Sequence, residues 1–405
     1  MQAVIMAGGF GTRLMELTHD AIPKPMIPIC GKPLLQWQIE NLKKNGFDDI
    51  IVIVGHLGDQ ILDKFGGTVR YYEEDIPRGT AGSLPKIANL LEDNFFLIYG
   101  DLFFDIDFER MIKFHYDHWA TATIFVHPNT HPYDSDLIEF DKNYRVNKIL
   151  FKGRQENHWY HNFANAGIYL LNKSILNVFP DAPRIDFEKS ILPRIHFLYG
   201  YISPEYVKDI GTVNRYFEVC NDILKGIPAC RNLKKKQKAI FLDRDGTINE
   251  EVGLISHPGQ LALTPHAIEA IKLINQSEYL AIVVTNQPVV ARGLCSIQEV
   301  DEIHAKMEQL LGAGGAYVND IFFCPHHPDK GYPEENPLYK IDCNCRKPKP
   351  GMIYTAAERY NIDLARSFII GDTTRDELTG INAGVQPIII PKDAADILDA
   401  VRRIL

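Results

Sequence analysis

The order of apolar and polar positions along the chain predicts strands and helices in regular alternation. Several short runs are apolar throughout, which is typical of strands covered on both faces of an α/β sheet: AVIMA, DIIVIVG, NFFLIYG, TATIFV and AGIYLL. A helical pattern that stops at Gly46 lies in PLLQWQIENLKKNG. The alternation begins again at AIFLD and continues through YLAIVVTNQ, DIFFC, RSFIIGD and QPIII to a last helix. This restart predicts an α/β protein of two domains.

The segment between the two series, Arg231–Lys238, reads RNLKKKQK and has no apolar pattern. Five of its eight residues are basic. We interpret it as an interdomain linker or the solvated end of a helix, and a nucleic-acid-binding tail is the less favoured alternative. The predicted boundaries are therefore residues 1–230 for the first domain, 231–238 for the linker and 239–405 for the second domain.

Composition narrows the class of protein. The 405 residues are 45% hydrophobic and 23% charged, as in ordinary globular proteins, and the net charge of −9 gives no electrostatic case for binding nucleic acid or an acidic membrane. No apolar run approaches the ~20 residues of a membrane span, and the N-terminus leads straight into a motif without a basic signal region. We therefore expect a soluble, cytoplasmic protein with small-molecule partners. Its oligomeric state, including a homo-oligomer, stays open.

A glycine-rich loop follows the first predicted strand. Gly8, Gly9 and Gly11 in MAGGFGTRL let backbone N–H groups approach phosphate oxygens, and Arg13 can add a bidentate contact. A purely structural turn is the alternative. Further blocks follow in order: PKPMIPICGKPLL, EEDIPRGTAGSL, YGD, NAGIYLL and VKDIGT. Together with the loop they resemble the sugar-1-phosphate nucleotidyltransferase family over about residues 1–225, which implies a Rossmann-like domain with a mixed sheet.

The resemblance implies a reaction in which a sugar 1-phosphate attacks the α-phosphorus of a nucleoside triphosphate and pyrophosphate leaves. Both reactants are anions, so catalysis is mostly charge neutralisation and alignment. Asp101 and Asp209 would hold Mg²⁺, although each alone could be a helix cap. The other implied contacts are as follows: Gly8, Gly9, Gly11, Thr12, Arg13 and Lys24 for the triphosphate, and Lys152, Asn165, Glu139 and Asp186 for the sugar phosphate.

The block GTAGSL borders the base pocket in these relatives, so Gly79 and Gly82 are candidate substrate-binding residues. Thymidylyl and uridylyl enzymes often carry Gln at the position of Gly82. A glycine there resembles the guanylyltransferases for mannose 1-phosphate and heptose 1-phosphate. This resemblance favours GTP as the nucleotide.

A second phosphate motif, Asp243-x-Asp245-Gly-Thr, closes the strand AIFL. One carboxylate can attack phosphorus, and the second can protonate the leaving oxygen and then activate water, with Mg²⁺ screening the charges. A Ca²⁺ loop or a turn is the alternative. The expected companions follow at strand ends and in a basic loop: Thr285, Lys347 and Asp372. The set resembles the haloacid dehalogenase-like phosphatases over about residues 238–405, with Mg²⁺ on Asp243, Asp245 and Asp372 and substrate contacts from Asn286, Arg292 and Arg346.

Three of the seven cysteines lie between residues 324 and 345, which favours metal binding over disulfides. Cys324 and His326, followed by Cys343 and Cys345, form a good set of ligands for a structural Zn²⁺. His327 is the competing histidine, and the resemblance favours His326. A set of free thiols is the alternative. Bound Zn²⁺ would pin a long loop that presents basic residues to the substrate phosphate.

The motifs CPHHP and CNCRKPKPGM, with TNQ and ARG, resemble the D-glycero-D-manno-heptose 1,7-bisphosphate 7-phosphatases. The zinc-containing histidinol-phosphate phosphatases are the close competitor. Two departures from the pattern, at three positions, matter. Pro288 and Val289 replace Ser-Gly, which puts the substrate-side loop in doubt, and Thr373 replaces a Lys, which puts the rate in doubt.

The fusion suggests a functional link, because a 7-phosphatase acting on heptose 1,7-bisphosphate leaves the heptose 1-phosphate that a nucleotidyltransferase can accept. We therefore expect a bifunctional enzyme that makes a nucleotide-activated heptose, such as GDP-heptose, for a surface glycan of the lipopolysaccharide, capsule or S-layer type. One alternative is a mannose or other hexose 1-phosphate transferase fused to a histidinol-phosphate-type phosphatase. Another is that one domain is a non-catalytic binding module.

Overall fold

The computed structural model describes residues 1–9, 21–153, 158–331, 333–391 and 396–405. The chain forms two compact units. Unit 1 comprises Met1–Val126, Ile138–Ile149 and Asn165–Asn232, and unit 2 comprises His127–Leu137, Leu150–Ala164 and Leu233–Leu405. Two segments from the first half of the sequence thus belong to unit 2. No helix within the described ranges is long and apolar enough to cross a membrane.

The first half of the chain alternates short strands with helices, as the apolar runs predict. Its described strands are β1 (Gln2–Met6), β2 (Pro28–Ile29), β3 (Lys32–Pro33), β4 (Asp49–Val54), β5 (Arg70–Glu73), β6 (Asn94–Tyr99), β7 (Leu102–Asp105), β8 (Ala122–His127), β9 (Leu137–Phe140), β10 (Val146–Leu150), β11 (Ala164–Asn172), β12 (Leu198–Ile202) and β13 (Tyr206–Asp209). Its described α-helices are α1 (Leu34–Lys44), α2 (Gly58–Phe65), α3 (Phe108–Asp117), α4 (Val213–Leu224) and α5 (Ile227–Arg231).

The main sheet of the first half has the order β10-β9-β11-β6-β1-β4-β5, and β8 and β12 continue from β11. Strand β1 is parallel to β4 and β6, whereas β11 runs antiparallel to β6. The predicted mixed sheet is therefore confirmed. Ala3, Val4 and Ile5 of β1 are fully buried, as expected for a central strand covered on both faces. The rings of Phe47, Phe96 and Phe108 pack edge to face. Each such pair stabilises the fold by about 0.5–1.5 kcal/mol beyond the contribution of the buried apolar area.

The carboxyl ends of β1 and β6 meet at one edge of this sheet. The amide of Gly100, directly after β6, donates to the carbonyl of Met6 at the end of β1 over 2.9 Å. A separate antiparallel pair of β7 and β13 sets Leu102 opposite Asp209. Loops that carry polar residues are therefore gathered at the edge where open α/β sheets bind ligands.

The second half contains a parallel sheet in the order β16-β15-β14-β17-β18. Its described strands are β14 (Lys238–Leu242), β15 (Tyr279–Asn286), β16 (Asp320–Cys324), β17 (Phe368–Gly371) and β18 (Gln386–Ile389). Its described α-helices are α6 (Ala267–Asn275), α7 (Ile297–Ala313), α8 (Gly351–Tyr360), α9 (Thr374–Ala383) and α10 (Ile397–Arg402). Because β14, β15 and β17 are adjacent and parallel, the residues at their carboxyl ends share one edge.

The basic segment between the two halves is only partly solvated. Arg231 ends α5, Lys238 begins β14, and the side chains of Leu233 and Gln237 are buried. The lysines at 234, 235 and 236 are exposed. The domain limits at residues 230 and 239 stay a prediction.

Candidate active sites

The two carboxylates predicted to bind Mg²⁺ in the first half lie on neighbouring backbones. Asp101 follows β6, and Asp209 ends β13. The amide of Ile210 donates to the carbonyl of Asp101 over 3.0 Å, which ties the two positions together. Lys24 lies in a short turn after Pro23, and its ammonium is 2.5 Å from the Asp101 carboxylate. Carboxylate oxygens beside a cation that can meet phosphate suit a Mg²⁺–triphosphate site.

Asp209 has a cationic partner that the sequence analysis missed. Nη1 of Arg215, in the first turn of α4, is 2.9 Å from both carboxylate oxygens, and the amide of Gly211 donates over 2.8 Å. Burial opposes ionisation of Asp209, but the positive charge of Arg215 overrides it and lowers the pKa of this carboxyl. A basic residue shortly after a strand-end Asp is the signal that could have revealed it.

The described part of the glycine-rich loop is closely packed at Gly8. A Cβ atom there would lie 3.0 Å from Oε2 of Glu74, whereas nothing lies within 4 Å of the same position at Gly9. Glycine at residue 8 thus lets the backbone approach the Glu74 carboxylate. Gly11, Thr12 and Arg13 lie outside the described residues, so their predicted roles stay predictions.

Glu74 is a second residue that the sequence analysis missed, although it lies in the quoted block EEDIPRGTAGSL. It follows β5 and is half-buried beside the glycine loop. Burial raises its pKa, and the hydroxyl of Ser83, which donates to Oε1 over 2.5 Å, partly offsets that shift. The sequence feature that could have identified Glu74 is an acidic residue at a strand end, directly before the base-pocket glycines.

The base-pocket glycines have a backbone role. At Gly79 the φ angle is +80°, and a Cβ atom would lie 2.5 Å from the carbonyl oxygen of Ile185. At Gly82 a Cβ atom would lie 2.4 Å from the carbonyl oxygen of Arg78. Packing alone therefore requires glycine at both positions, so Gly82 says less about the base than the resemblance suggests.

Asn165, predicted to contact the sugar, belongs to a partly buried hydrogen-bond network in unit 1. Its amide nitrogen donates to the hydroxyl of Tyr169 over 2.8 Å, and its oxygen accepts from the amide of Gly167. The hydroxyls of Tyr169 and Tyr99 both donate to Glu188. This network fixes the Asn165 side chain.

The other three residues predicted to contact the sugar are Glu139, Asp186 and Lys152, which lie outside the strand that carries Asn165. Glu139 is half-buried in β9 of unit 1, and Asp186 accepts from the amide of Lys189 as a helix cap. Lys152 is exposed in unit 2, where its amide donates to the Asp136 carboxylate over 2.7 Å. The sugar roles of all three stay predictions.

In the second half, the structure brings Asp243 and Lys347 together. Asp243 directly follows β14, and Oδ1 is 2.8 Å from the ammonium of Lys347. The same ammonium is 2.5 Å from Asp376. Burial raises the pKa of Asp243 to about 6, with the Asp376 charge adding to the rise and Lys347 opposing it. The Asp243 carboxylate is held in place by the ammonium of Lys347.

Asp243, Asp372 and Asp376 form an acidic cluster whose oxygens lie within 4.8 Å of one another. Asp376 was missed by the sequence analysis. It lies in the first turn of α9, where its carboxylate accepts from the hydroxyl of Thr373 over 2.6 Å. A Cβ atom on Gly246 would lie 2.4 Å from Asp372, so glycine there makes room for the carboxylate. Three close carboxylates at a strand edge fit Mg²⁺.

The carboxylate of Asp245 hydrogen-bonds elsewhere. It accepts from Arg244, Asn249 and Gln287, so its side chain does not join the acidic cluster. Its predicted Mg²⁺ contact stays a prediction. Thr285 is buried at the end of β15, and its hydroxyl accepts from Gln287 over 3.0 Å.

Asn286 orients the loop that carries Lys347. Its side-chain nitrogen donates to the Lys347 carbonyl over 3.1 Å, and its oxygen accepts from the Lys347 amide over 3.0 Å. The two hydrogen bonds hold Lys347 at the end of β15. Arg346 donates from Nη1 to the carbonyl of His326 over 3.0 Å, and Arg292 is half-buried. The substrate roles predicted for Asn286, Arg292 and Arg346 stay predictions.

The structure gathers Cys324, His326, Cys343 and Cys345 into one cluster with ligand atoms within 4.8 Å of one another. The sulfur of Cys345 lies 3.3 Å from that of Cys324 and 3.1 Å from that of Cys343, and 3.4 Å from Nδ1 of His326. The interaction with Cys324 outweighs the opposing effect of burial and lowers the pKa of Cys345 to about 5. Nδ1 of His327 instead accepts from the amide of Asp329. Three sulfurs and one nitrogen fit a tetrahedral Zn²⁺ site.

Two of the three residues that depart from the phosphatase pattern, Val289 and Thr373, have structural explanations. Val289 is fully buried and packs with Val290 and Val300 in an apolar cluster. Thr373 caps α9 and holds Asp376 by a reciprocal capping box. The residue that replaces the expected Lys therefore supports the acidic cluster.

Comparisons with known proteins find relatives for each half of the chain. The nucleotidyl transferase family matches residues 2–226, and the HAD-hydrolase-like family matches residues 344–401. The chain is 37% identical over 164 residues to a D-glycero-beta-D-manno-heptose-1,7-bisphosphate 7-phosphatase of Pasteurella multocida, covering 40% of the chain and 86% of that protein. It is 33% identical over 231 residues to "Probable mannose-1-phosphate guanylyltransferase 3" of Oryza sativa subsp. japonica, covering 53% of the chain. The chain spans only 63% of the length of that plant protein.

Two solved structures are also similar. The crystal structure of HddC from Yersinia pseudotuberculosis is 30% identical, with 55% of this chain and 99% of that chain covered and a TM-score of 0.48. The structure of D,D-heptose 1.7-bisphosphate phosphatase from B. bronchiseptica, complexed with magnesium and phosphate, is 31% identical. It covers 41% of this chain and 97% of that chain, with a TM-score of 0.36.

The folds, the sites and the family matches define a bifunctional enzyme in which a nucleotidyltransferase is followed by a haloacid dehalogenase-like phosphatase. The chain belongs to the nucleotidyl transferase family, and its second half belongs to the same family as the Pasteurella phosphatase. Both resemblances on which the sequence analysis relied are thereby confirmed.

Proposed function

We propose that the second half hydrolyses the 7-phosphate of D-glycero-D-manno-heptose 1,7-bisphosphate and that the first half transfers GMP from GTP to the resulting heptose 1-phosphate. The observation that carries the proposal is the presence of both kinds of site in one chain, because the product of one reaction is the class of substrate that the other needs. The activated heptose would serve a surface glycan, and small molecules of the cytoplasm would be the substrates.

The phosphatase reaction follows from the placement of Asp243 and its neighbours. The Asp243 carboxylate attacks phosphorus, so that an oxygen–phosphorus bond to Asp243 forms while the bond to the sugar oxygen breaks. Asp245 gives a proton to that leaving oxygen and then accepts one from the water that hydrolyses the aspartyl-phosphate. Lys347 and the hydroxyl of Thr285 hold the phosphoryl oxygens. The hydrogen bonds with Asn286 and the ion pair with Asp376 keep Lys347 beside Asp243 during both steps of the reaction.

The acidic cluster and the Cys/His cluster would hold the two metals. Mg²⁺ on Asp243, Asp372 and Asp376 would screen the attacking carboxylate from the phosphate charge. Zn²⁺ on the Cys/His cluster would fasten the loop that leads to Arg346 and Lys347. Zn²⁺ would serve only to hold this loop in place. The proton transfers would be performed by side chains of this chain.

The transferase reaction requires no protein nucleophile. A phosphate oxygen of the sugar 1-phosphate attacks the α-phosphorus of the triphosphate, and the bond to pyrophosphate breaks. Lys24, with Arg13 from the glycine loop, neutralises the triphosphate. Asp101 and Asp209 would hold Mg²⁺, which would supply further charge neutralisation at the phosphates.

Glu74 gives the proposal of GTP a physical basis. Guanine presents two neighbouring N–H donors, at N1 and N2, and a carboxylate can accept both. Adenine, uracil and thymine lack that pair of donors. Glu74 lies half-buried beside Gly8 with its Oε1 oriented by Ser83, so it can meet a base edge as an acceptor. The similarity to a guanylyltransferase from Oryza sativa supports the same nucleotide.

A panel of nucleotides and sugars tests this proposal directly. The purified protein is incubated with heptose 1-phosphate and GTP, ATP, UTP, CTP or dTTP, and pyrophosphate release is measured. We expect GTP to be used best. Mannose 1-phosphate is the second candidate for the sugar, favoured by the similarity to the Oryza sativa protein, and it belongs in the same panel. Efficient use of another nucleotide with little use of GTP would refute the guanylyl assignment.

A further inference from the structure

Arg244, the middle residue of the Asp-x-Asp motif, is the largest fully buried side chain of the described residues. An arginine is almost never fully buried unless its charge is paired. Its partner here is Asp245, the acid–base residue of the proposed phosphatase. Nε and Nη2 of Arg244 lie 3.0 Å and 2.6 Å from Oδ1 of Asp245, which is the bidentate approach of a planar guanidinium to one acceptor.

Gln287 engages the other oxygen of Asp245. Its Nε2 donates to Oδ2 over 2.8 Å, and its Oε1 accepts from Nη2 of Arg244 over 3.1 Å. Asn249 adds a third donor to Oδ1 at 3.0 Å. Oδ1 thus accepts from three groups while Oδ2 accepts only from Gln287 among the described residues, which leaves Oδ2 with a free lone pair.

Gln287 also connects Asp245 to the phosphate side of the site. The same Nε2 lies 3.0 Å from the hydroxyl of Thr285, the residue assigned to the phosphoryl oxygens. One buried amide therefore bridges the group that moves protons and the group that holds phosphate. Such a bridge fixes the distance between proton donor and leaving group, and a 1 Å error there can cost roughly 100-fold in rate.

The backbone makes the clamp rigid. The amides of Ile248 and Asn249 donate to the carbonyl of Arg244 over 2.9 Å and 3.0 Å, and the amide of Gly246 donates to the carbonyl of Asn249 over 2.8 Å. The turn after Asp243 is closed on Arg244 in this way. Asp245 therefore has its backbone and both carboxylate oxygens fixed before any substrate arrives.

We propose that Arg244 and Gln287 are positioning residues that aim Oδ2 of Asp245 at the leaving oxygen of the phosphate ester. This inference rests on the proposed phosphatase function. In the first step the proton of Asp245 moves to the sugar oxygen as the phosphorus–oxygen bond breaks. In the second step Asp245 accepts a proton from water as the water oxygen bonds to phosphorus. Arg244 contacts Oδ1 and Gln287 contacts Oδ2 of Asp245, so both act through that carboxylate, and neither contacts the substrate in this scheme.

Two substrates with different leaving groups can show whether Arg244 and Gln287 position Asp245 or only stabilise the fold. A sugar alkoxide must be protonated as it leaves, whereas p-nitrophenolate leaves without a proton. A misaimed Asp245 therefore slows phosphoryl transfer from the sugar phosphate but spares the p-nitrophenol burst that accompanies formation of the aspartyl-phosphate. A general loss of structure would reduce both steps.

The experiment compares the wild-type full chain with Gln287→Leu, Arg244→Lys and the control Gln386→Leu, an exposed glutamine at the start of β18. Phosphate release from heptose 1,7-bisphosphate and the burst of p-nitrophenol from p-nitrophenyl phosphate are measured in Mg²⁺, and circular dichroism checks folding. We expect Gln287→Leu to lower kcat for the sugar phosphate roughly 100-fold, with KM and the burst nearly unchanged. Arg244→Lys keeps the positive charge but loses the paired N–H donors of the guanidinium, so it should show the same pattern.

Three results would overturn the positioning role: a p-nitrophenol burst slowed as much as sugar-phosphate turnover in a folded variant, no loss on the sugar phosphate, or a burst that disappears with Gln287→Leu. If the variants fail to fold, Arg244 and Gln287 are structural residues and the proposal is equally wrong. A wild-type protein that is inactive on both phosphates would overturn the proposed phosphatase function itself. These outcomes are distinguishable because the last one appears without any substitution.

Discussion

The ammonium of Lys347 lies 2.8 Å from the Asp243 carboxylate, and the Lys347 side chain is only 2% exposed. The ion pair joins a residue at a strand end to a residue of the loop that follows the Cys/His cluster. Burial disfavours charge on Lys347, but Asp243 and Asp376 override it and raise the pKa of its ammonium. The ion pairs with Asp243 and Asp376 therefore favour the charged form of Lys347 beside the proposed nucleophile.

Replacing Lys347 by Met should abolish most of the phosphatase activity. A fixed cation at the phosphoryl group contributes about 100- to 1,000-fold to rate, so phosphate release should fall by that factor while nucleotidyl transfer is retained. Lys349→Met is the matched control, because Lys349 is 43% exposed and pairs with Asp342 at the surface. Phosphate release equal to that of the control would remove Lys347 from the site.

Glu74→Gln should weaken the use of GTP. The amide replaces one acceptor oxygen with a donor that faces the donors of guanine, and a lost charged hydrogen bond of about 1.5–3 kcal/mol corresponds to about 10- to 100-fold in kcat/KM. The neighbour Glu73 is exposed, so Glu73→Gln serves as the control. The measurement is pyrophosphate release with GTP at saturating sugar phosphate. Equal values for the two variants would mean that Glu74 does not contact the base.

Zinc content should follow the Cys/His cluster. We expect about one Zn²⁺ per chain by elemental analysis, and Cys343→Ser should lose it because three ligands no longer complete a structural tetrahedral site. Cys30 is exposed in unit 1, outside the cluster, so Cys30→Ser should keep its zinc. Loss of zinc should also lower phosphate release, since Arg346 and Lys347 follow Cys345 directly. Wild-type protein without zinc after expression in zinc-supplemented medium would contradict the assignment.

His161 should stabilise unit 2 in a pH-dependent way. It lies between Glu308, to which it hydrogen-bonds, and Asp301, 3.2 Å away. Burial disfavours the charged ring, but the two carboxylates override it and raise the pKa of His161 to about 10. Because the folded pKa exceeds the unfolded value of ~6.5, the stabilisation is complete below about pH 6.5 and is lost as the pH rises towards 10.

The urea midpoints of wild type and His161→Gln should therefore differ most near pH 6 and converge near pH 10. His196→Gln is the control, because His196 is exposed in unit 1. A difference that grows with rising pH would contradict the assigned charge of His161.

Much of the fold was predictable because buried parallel strands leave a direct mark on the sequence. Continuous apolar runs such as that of β14 indicate strands covered on both faces, and the polar residues that follow them must share an edge. Asp243 and Asp372 were found in this way. The Cys/His cluster was found because its ligands come in two closely spaced pairs.

The contacts of the residues that were not predicted depend on the direction of their side chains. The pattern of apolar runs in the sequence does not encode that direction. Asp376 is an ordinary first-turn residue of a helix until α9 is placed so that its carboxylate turns back to Lys347. Glu74 was overlooked because its block was read for glycines, and Arg215 because its partner lies across a turn. The inclusion of residues 127–137 and 150–164 in unit 2 depends on contacts such as His161 with Glu308, between residues distant in sequence.

A coupled reaction decides whether the two halves of the chain act in sequence. Heptose 1,7-bisphosphate, GTP and Mg²⁺ are mixed with wild type or with Asp243→Asn, and phosphate, pyrophosphate and nucleotide-heptose are quantified together. We expect equal amounts of all three with wild type. Asp243→Asn should yield none of them from the bisphosphate but should still make nucleotide-heptose from heptose 1-phosphate. The sequential order is wrong if wild type releases no phosphate, or if Asp243→Asn makes a nucleotide-heptose that keeps its 7-phosphate.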